Sequence, residues 1–411
     1  MMQSCRFFLA SVFIIAGLTI AIPVRVSAFD FGALDTVVNK AVSDSVFPGA
    51  SLAVLYKGKV VFHKAFGKLT YDPHSRPADT TTIYDLASLT KAVVTTSIVM
   101  QLVERDSLSL QAPVSNYLPE FTGKGKDNIT IEHLLRHTSG LRAHTLFSKT
   151  CSTPQQLFST IAADTLLSIP GKTTLYSDLG FMLLGRIIET ITGRTLDANF
   201  HNRFAEPLGM TSTMFTPPQS LGWRIAPVEK DTLWPFTVQR PLVHDQNSAL
   251  LGGVAGHAGL YSTTVDLITM VTMLMNGGTV NGHTYIQAAT LKKFLARKDS
   301  LRALGWDVRS PGGHSSAGDY YSSASYGHLG FTGTSIWIDP EKELAVIFLC
   351  NRVYPSSANI KIRSFRPLLH NTVVSSLGLK KTAEKVRQEP PETDSGKQAM
   401  HWYNRKRYRL N

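Results

Sequence analysis

Short strand-like runs of apolar residues stand near both ends of the chain. Residues 50–55 and 59–66 flank Tyr56-Lys57-Gly58, whose glycine suits a hairpin turn. Residues 334–338 and 343–351 flank a second turn with a polar sequence. Because each run has the length of a strand and ends at turn residues, the pattern predicts one β-hairpin near each end.

Between these hairpins, apolar residues recur at the spacing of helices. The predicted helices cover residues 91–105, 131–136, 179–192 and 264–275. Strands at both ends with helices between them predict an antiparallel sheet formed by the N- and C-terminal segments, with flanking helices and an inserted all-helical region. The fold class is therefore mixed α/β (α+β), without a regular βαβ alternation.

A different pattern precedes the first hairpin. Arg6 supplies one positive charge, residues 7–24 form an apolar run, and small residues up to Ala28 follow. This order is typical of a secretory signal peptide, so we predict cleavage after Ala28 and a periplasmic or secreted protein. An uncleaved membrane anchor is the alternative, because the run approaches the ~20 residues that cross a bilayer.

The net charge of +12 is concentrated near the C-terminus. Residues 380–411 contain nine Lys and Arg against four Asp and Glu, together with Pro390-Pro391 and few aliphatic residues. This composition predicts a basic, disordered tail and not a nucleic-acid-binding domain. In an exported protein such a tail would weakly attract membrane head groups or wall polymers, and a solvated tail without a partner explains it equally well.

Residues 29–379 remain as one large domain, and 43% of the whole chain is hydrophobic, enough for a sizeable core. Beyond Ala28 the cysteines are Cys151 and Cys350, which excludes a disulfide-rich scaffold. Whether these two residues pair is left open by the sequence.

Ser88 and Lys91 stand at the start of the predicted helix over residues 91–105. Three residues apart, their side chains lie on one helix face. A neutral lysine amine can take the proton of a neighbouring serine, and an apolar wall with positive neighbours would lower the lysine pKa from about 10.4. A helix cap followed by a solvated lysine would give the same tetrapeptide, so the pair alone decides little.

Two later segments carry further candidate groups. Tyr176 and Asp178 stand just before residues 179–192, where a phenol can act as acid or base and a carboxylate can orient a substrate or the lysine. Residues 327–334 lead into a strand, and we expect their glycines to permit close approach of a ligand to the backbone.

Three of these segments resemble, in order and rough spacing, the motifs shared by class C β-lactamases, serine D-alanyl-D-alanine carboxypeptidases and related family VIII-type esterases: Ser88-Leu89-Thr90-Lys91, Tyr176-Ser177-Asp178 and His328-Leu329-Gly330. A fourth segment is similar to the His-x-Ser-Gly-Leu sequence common in these penicillin-binding-protein-like hydrolases: His137-Thr138-Ser139-Gly140-Leu141. The resemblance covers roughly residues 34–374 and implies a β-lactamase/transpeptidase-like fold for the domain over residues 29–379.

The resemblance implies an acyl-enzyme mechanism. Ser88 would attack a carbonyl carbon, Lys91 and Tyr176 would move protons, and water would release the acyl group. Backbone N–H groups of Ser88 and of a residue between Phe331 and Thr334, on an edge strand, would form the oxyanion hole. The implied substrate-binding residues are Asp178, His328, Gly330, Phe331, Thr332 and Gly333.

Departures from the family motifs bear on the substrate. Asp178 replaces the usual Asn and cannot donate a hydrogen bond when ionised. The third motif is Lys-Thr-Gly in class C β-lactamases, where Lys and Thr help bind a carboxylate; here His328 is expected to be partly charged and Leu329 has no hydroxyl. Efficient β-lactam hydrolysis is therefore not expected.

We expect an exported serine hydrolase that cleaves an ester, amide or peptide bond, with a D-amino-acid peptide from peptidoglycan as the favoured substrate. A true class C-like β-lactamase and a catalytically weak protein that binds wall fragments are the alternatives. The absence of a Gly-x-Ser-x-Gly elbow disfavours an α/β-hydrolase triad.

No cofactor or metal is predicted. His133 and His137 lie four residues apart, but no third ligand is evident, so structural roles are favoured. Residues 244–247 and 253–259 resemble segments of related hydrolases. They would contact substrate or form turns, and the sequence leaves both open.

Overall fold

The computed structural model describes residues 29–229, 243–311 and 315–380. The predicted signal peptide and all of the predicted tail beyond Lys380 lie outside these residues. Within them, no helix combines the length and the apolar character needed to cross a bilayer.

The strands of the described residues are β1 (Gly49–Tyr56), β2 (Lys59–Gly67), β3 (Tyr84–Asp85), β4 (Met214–Phe215), β5 (Leu260–Ser262), β6 (Thr279–Val280), β7 (His283–Thr284), β8 (Asp307–Val308), β9 (Tyr326–Leu329), β10 (Ser335–Asp339) and β11 (Leu344–Cys350). The main sheet has six strands in the order β2-β1-β11-β10-β9-β8, and each neighbouring pair is antiparallel. A three-stranded sheet, β3-β5-β4, and the β6-β7 pair are smaller.

The α-helices are α1 (Gly32–Ser43), α2 (Ser97–Glu104), α3 (Ile131–Leu135), α4 (Pro154–Ala163), α5 (Asp178–Thr192), α6 (Leu196–Phe200), α7 (Gln246–Leu250), α8 (Thr264–Met275), α9 (Ala288–Leu295) and α10 (Ile362–Ser376). Two π-helical segments are Lys91–Thr96 and His201–Ala205. Short 3₁₀ helices are Val114–Asn116, Lys126–Asn128, Phe147–Lys149 and Gln219–Arg224.

Both predicted hairpins are confirmed, with ends that differ by about one residue. Strand β1 pairs with β11, with Ala50 opposite Cys350, so the two terminal segments close one sheet as predicted. The predicted helices are also present, and α8 has the predicted bounds. Cys151 and Cys350 are both buried and neither forms a disulfide bond.

The helix after Ser88 differs from the prediction in its first turns, which are π-helical and continue into α2. Side-chain hydroxyls accompany this wider turn: Thr96 Oγ1 donates to the Lys91 carbonyl at 2.7 Å, and Ser97 Oγ donates to the Ala92 carbonyl at 3.3 Å. Each bond spans five residues, and π-turns of this kind are frequent at functional sites.

Apolar side chains cover both faces of the main sheet, because successive strand residues point to opposite sides. Leu52 and Val54 of β1 face a core built with α1 and α10, whereas Ala53 and Leu55 face the larger core that contains α2, α5 and α8. All residues of β11 are therefore buried. The sheet separates a small helical layer from the large helical region.

The turn between β9 and β10 lies against the segment that leads to Ser88. Thr332 Oγ1 donates to the Asp85 carbonyl at 2.7 Å, and Thr334 Oγ1 donates to the Leu86 carbonyl at 3.1 Å. The sheet and the nucleophile helix are thereby fixed to each other at this turn.

Candidate active site

Ser88 lies in the turn immediately before the helix, at the junction of the sheet and the helical region. Lys91 Nζ is 3.0 Å from Ser88 Oγ, and the Lys91 side chain is completely buried. The preceding Ala87 has a left-handed backbone (φ 47°), which is uncommon for a residue with a Cβ. Asp85 supports this turn, since its Oδ1 accepts a hydrogen bond from the Ala87 N–H at 2.8 Å.

Lys91 is surrounded by groups from three other segments. Its Nζ donates to the His257 carbonyl at 2.9 Å and lies 2.8 Å from Asp178 Oδ1. The rings of Tyr176 and Phe181 have their centroids 5.0 and 5.8 Å from Nζ. The carboxylate of Asp178 lies at ion-pair distance from Nζ, and an opposite charge favours the ammonium form of the lysine.

Tyr176 is positioned by His137 and by the start of α5. The Leu175 N–H donates to the His137 carbonyl at 2.8 Å, the Ser177 N–H donates to His137 Nδ1 at 3.0 Å, and the rings of His137 and Tyr176 are 4.5 Å apart. Burial, together with the charges of Arg302 and Lys91, holds the pKa of His137 well below its ordinary value. A neutral His137 can accept the bond from Ser177, so the His-x-Ser-Gly-Leu segment holds the Tyr176 segment in place.

Asp178 is the first residue of α5 and is almost completely buried. A carboxylate is favoured at a helix N-terminus by the helix dipole. Its Oδ1 faces Lys91 and its Oδ2 lies 3.3 Å from His144 Nδ1. Asp178 therefore links the lysine to a histidine that the sequence pattern did not single out.

His328, on β9, is buried beside these groups. Its ring is 6.2 Å from that of Tyr176, and its Nδ1 donates to the Leu329 carbonyl at 2.9 Å. Burial, with the charges of Lys91 and Arg302, lowers the pKa of His328 to about 3. The expectation of a partly charged His328 is therefore wrong, because the imidazole is neutral near pH 7.

The glycines of the third motif serve the packing of the chain itself. A Cβ on Gly330 would lie 2.5 Å from the Leu86 carbonyl oxygen, and one on Gly327 would lie 2.4 Å from that of Ile336. Gly333, with φ 115°, would meet Cys350 Sγ at 2.4 Å. The turn itself thus needs the space at these glycines, and the approach of a ligand to their backbone stays a prediction.

The family resemblance implied an edge strand for the oxyanion-hole residue between Phe331 and Thr334. In the structure these residues lie in the turn between β9 and β10, and neither strand is at the edge of the sheet. Strand β8 lies outside β9, but its two residues pair only with Tyr326 and Gly327. His328 and Leu329 extend beyond that pairing toward Ser88. Phe331 follows in the turn, between the ring of His244 at 5.3 Å and the guanidinium of Arg352 at 4.4 Å.

Comparison with known proteins identifies the family. The Beta-lactamase family model matches residues 34–369. The chain belongs to the beta-lactamase family. A protein of Salmonella agona (strain SL483) named as a D-alanyl-D-alanine carboxypeptidase is 32% identical over 355 residues, which cover 78% of this chain and 82% of that protein. The chain is accordingly a serine hydrolase of the beta-lactamase family.

Solved structures agree on the fold. A penicillin-binding protein homologue from Caulobacter crescentus gives a TM-score of 0.68 at 24% identity, covering 84% of this chain and 97% of the other. A class C beta-lactamase gives a TM-score of 0.68 at 19% identity, covering 86% and 97%. The predicted mixed α/β fold with an antiparallel sheet is confirmed.

In this beta-lactamase-family chain, residues 244–247 and 253–259 contact the Ser88 site. His257 supplies the carbonyl that receives Lys91, and its Nε2 lies 2.9 Å from Asp245 Oδ1. Asp245 also caps α7, accepting from the Ser248 N–H at 2.8 Å. The His244 N–H donates to Asp85 Oδ2 at 2.8 Å. These two segments thus bind each other, Lys91 and Asp85, and so hold the lysine and the turn before Ser88 in position.

Gly185 and Gly256 allow close packing between α5 and the loop that contains His257. A Cβ on Gly185 would lie 2.9 Å from the Gly256 nitrogen, and a Cβ on Gly256 would lie 2.2 Å from the Phe181 carbonyl oxygen. The absence of side chains at both positions lets α5 pack directly against the loop with His257. The sequence showed both glycines but not their contact.

Arg302 was missed by sequence reasoning. Its guanidinium lies 5.3 Å from the centre of the Tyr176 ring and is ion-paired with Asp307 of β8. Its charge also depresses the pKa values of His137 and His328. No motif marks this arginine, because it comes from a loop that only the fold brings to the site.

His133 has a helix-capping role. Its Nδ1 accepts a hydrogen bond from the Thr130 N–H at 3.2 Å, and Thr130 Oγ1 accepts from the His133 N–H at 3.3 Å. Across the described residues, no group of three or more His, Cys, Asp or Glu side chains is arranged to hold a metal ion.

Proposed function

We propose that the protein hydrolyses an ester or peptide bond through an acyl-enzyme on Ser88. The observation that supports this most is the 3.0 Å contact between Ser88 Oγ and the fully buried Lys91 Nζ. An isolated buried lysine would be costly, and here its position is fixed by Asp178 and the His257 carbonyl.

In acylation, Ser88 Oγ forms a bond to the substrate carbonyl carbon while its proton passes to the Lys91–Tyr176 group. The N–H groups of Ser88 and of a residue between Phe331 and Thr334 stabilise the negative charge on the carbonyl oxygen. The leaving amine or alcohol then takes the proton as its bond to carbon breaks. In deacylation, water attacks the carbonyl carbon of the acyl-enzyme and gives a proton to the Lys91–Tyr176 group. The bond between that carbon and Ser88 Oγ breaks, Oγ takes the proton back, and the acid product leaves.

The charge of Lys91 decides which group accepts the first proton. Asp178 favours the ammonium form, which cannot act as a base until it loses a proton. Tyr176 is the second group that can carry a proton, and its ring lies beside both Lys91 and Arg302. We therefore propose that Lys91 and Tyr176 share the proton that Ser88 loses. Asp178, by favouring the charged lysine, would determine which of the two carries it.

The proposed substrate is a peptide that ends in D-alanine, of cell-wall origin. The relative from Salmonella agona is named as a D-alanyl-D-alanine carboxypeptidase, and such a substrate has a free carboxylate. His328 is neutral and Leu329 has no hydroxyl, so neither supplies a charged partner for it. Arg302, whose guanidinium lies beside the Tyr176 ring, would supply the positive charge for the substrate carboxylate.

The same residues argue against a true β-lactamase. In class C enzymes the third motif offers a lysine and a threonine to the carboxylate, and this chain offers a neutral imidazole and an aliphatic side chain. A catalytically weak protein that binds wall fragments is the other alternative, and the Ser88–Lys91 contact disfavours it.

Three substrates distinguish these functions: a D-alanyl-D-alanine peptide, a short-chain nitrophenyl ester and a chromogenic cephalosporin. We expect Arg302→Gln to lower kcat/KM for the peptide about tenfold or more beyond any loss in ester hydrolysis, because both reactions depend on Tyr176 beside Arg302 and only the peptide has a carboxylate. Arg302→Lys, which keeps the charge, is the matched control. Cephalosporin turnover equal to peptide turnover would contradict the proposed substrate.

We also propose that the chain is exported by its first 28 residues and that its basic tail contacts membrane or wall anions weakly. Cell fractionation with and without residues 1–28 tests the export. Retention of the full-length protein in the cytoplasm would contradict it.

A further inference from the structure

A cavity of about 520 Å³ lies between the C-terminal part of α2, the end of α5 and the segment that follows α6. None of its lining residues belongs to the site around Ser88. We propose that this cavity, the arginine cavity, binds a phosphate-bearing anion through Arg105, Arg194 and Arg203.

Within residues 29–229, 243–311 and 315–380, the charges of the arginine cavity have no acidic partner. Its lining contains three arginines and His283 but no aspartate or glutamate. Among the described residues, no carboxylate is within ion-pair distance of Arg105, Arg194 or Arg203. Clustering like charges without a partner is unfavourable, and a bound anion would relieve it.

Arg203 is fixed in orientation by neutral groups. Its Nε donates to Asn199 Oδ1 and its Nη1 donates to Gln101 Oε1, each at 3.2 Å. Asn199 is buried and in turn donates to the Arg194 carbonyl at 3.0 Å. Burial and the charges of Arg105 and Arg194 lower the pKa of Arg203. The guanidinium is thus held in place, and no carboxylate of the described part of the chain pairs with it.

Phosphate matches this arrangement better than a single carboxylate does. A phosphate or diphosphate group has two or more negative charges and several acceptor oxygens, and guanidinium groups bind such oxygens in pairs. The cavity is larger than a phosphate ion, and Leu102, Ile191 and Pro207 give it an apolar part. The remainder of a phosphorylated molecule can lie there, whether it is a soluble phosphate ester or a lipid with a phosphate head group.

The test is thermal unfolding of the full chain in increasing pyrophosphate, with sodium chloride at matched ionic strength as reference. We expect a saturable rise in Tm for the wild type. Arg194→Gln and Arg203→Gln should weaken the apparent affinity by about tenfold or more. Arg186→Gln is the matched control, because Arg186 lies on the same helix as the cavity wall but is exposed and near Glu189.

A second arm identifies the source of the phosphate. Sedimentation with phosphatidylcholine vesicles that contain phosphatidic acid tests binding of a lipid head group. Both wild type and Arg194→Gln keep the basic tail, so a difference in their vesicle binding reports the arginine cavity alone. Arg194→Gln should hydrolyse a nitrophenyl ester at the wild-type rate, since it lies outside the Ser88 site. An Arg194-dependent response in either arm supports the proposal. The proposal would be overturned if wild type and Arg194→Gln responded equally to pyrophosphate and to the vesicles, or if the wild type showed no saturable response in either arm.

Discussion

At the scale of single residues, the contact between Lys91 and Asp178 is the feature that most shapes the chemistry. Asp178 stands where the family motif usually has Asn, and its carboxylate is 2.8 Å from the lysine nitrogen. A neutral amide could hold the lysine without favouring its charged form. The substitution therefore changes the protonation balance of the site while keeping its geometry.

Asp178→Asn should shift the pH dependence of hydrolysis. Without the carboxylate the neutral lysine becomes easier to form, so the acidic limb of the kcat/KM profile should move to lower pH by about one unit or more. The measurement is ester hydrolysis between pH 4 and 9, with Asp178→Ala as a control that also removes the hydrogen bond. A limb that stays in place, or moves to higher pH, would show that Asp178 does not set the charge of Lys91.

Sequence reasoning at this scale found the groups that come in motifs and missed those that do not. Ser88, Lys91, Tyr176, Asp178 and His328 are brought together in one site. His144 and Arg302 join them from separate loops, and a single sequence gives no signal for contacts of that kind. The charge of His328 was misjudged because burial, which lowers its pKa, is not visible in the sequence.

At the scale of elements, the β9–β10 turn and the helix after Ser88 depend on each other. Thr332 and Thr334 bind the carbonyls of Asp85 and Leu86, and Gly330 leaves room for this contact. The proposed oxyanion hole combines one N–H from each element. Its geometry therefore depends on how closely the two elements approach.

Gly330→Ala should separate these elements. The new Cβ would lie 2.5 Å from the Leu86 carbonyl oxygen and 1.9 Å from Thr334 Oγ1. We expect kcat/KM to fall on the order of 100-fold, because displacements of about 1 Å at a reacting centre have effects of that size. Gly222→Ala is the matched control, since a Cβ at Gly222 meets nothing within 4 Å. Wild-type activity of Gly330→Ala, with a normal circular dichroism spectrum, would contradict this account of the turn.

The elements themselves were largely predictable from apolar spacing and turn residues. Helix α8 and both terminal hairpins were found because their patterns are strong and uninterrupted. The π-helical turns at Lys91–Thr96 were not, since they arise from hydroxyls that bond five residues back and not from the apolar period. The two-residue strand β8 is likewise too short to leave a pattern.

At the scale of the whole molecule, three buried histidines couple folding to pH. Burial is the largest cause in each case: it lowers the pKa values of His328 and His370 to about 3 and that of His137 well below its ordinary 6.5. The unfolded chain binds protons at these residues below pH 6.5 and the folded chain does not. Their contribution to stability is therefore complete above pH 6.5 and is lost as the pH falls toward 3.

His370→Gln should reduce this pH dependence. His370 lies outside the Ser88 site, with its Nδ1 3.3 Å from the Tyr321 hydroxyl. Removing one such histidine should lower the slope of unfolding free energy against pH by about 1.4 kcal/mol per unit between pH 6 and 4. The measurement is urea unfolding across that range, with the exposed His74→Gln as control. Equal slopes for wild type and His370→Gln would show that His370 accepts a proton in the folded state.

The domain as a whole was predictable because its two terminal hairpins close one sheet around an inserted helical region. The substrate was not, because no motif marks Arg302, the proposed partner of the substrate carboxylate.

The central claim is the acyl-enzyme on Ser88, and trapping it is the most direct test. Intact-protein mass spectrometry after brief mixing with an activated ester should give one added acyl group in the wild type, located by digestion on the peptide that contains Ser88. Ser88→Ala should take up no label and lose at least about 1,000-fold in kcat, whereas Ser43→Ala should match the wild type. Unchanged turnover in Ser88→Ala, or an acyl group on another residue, would contradict the account.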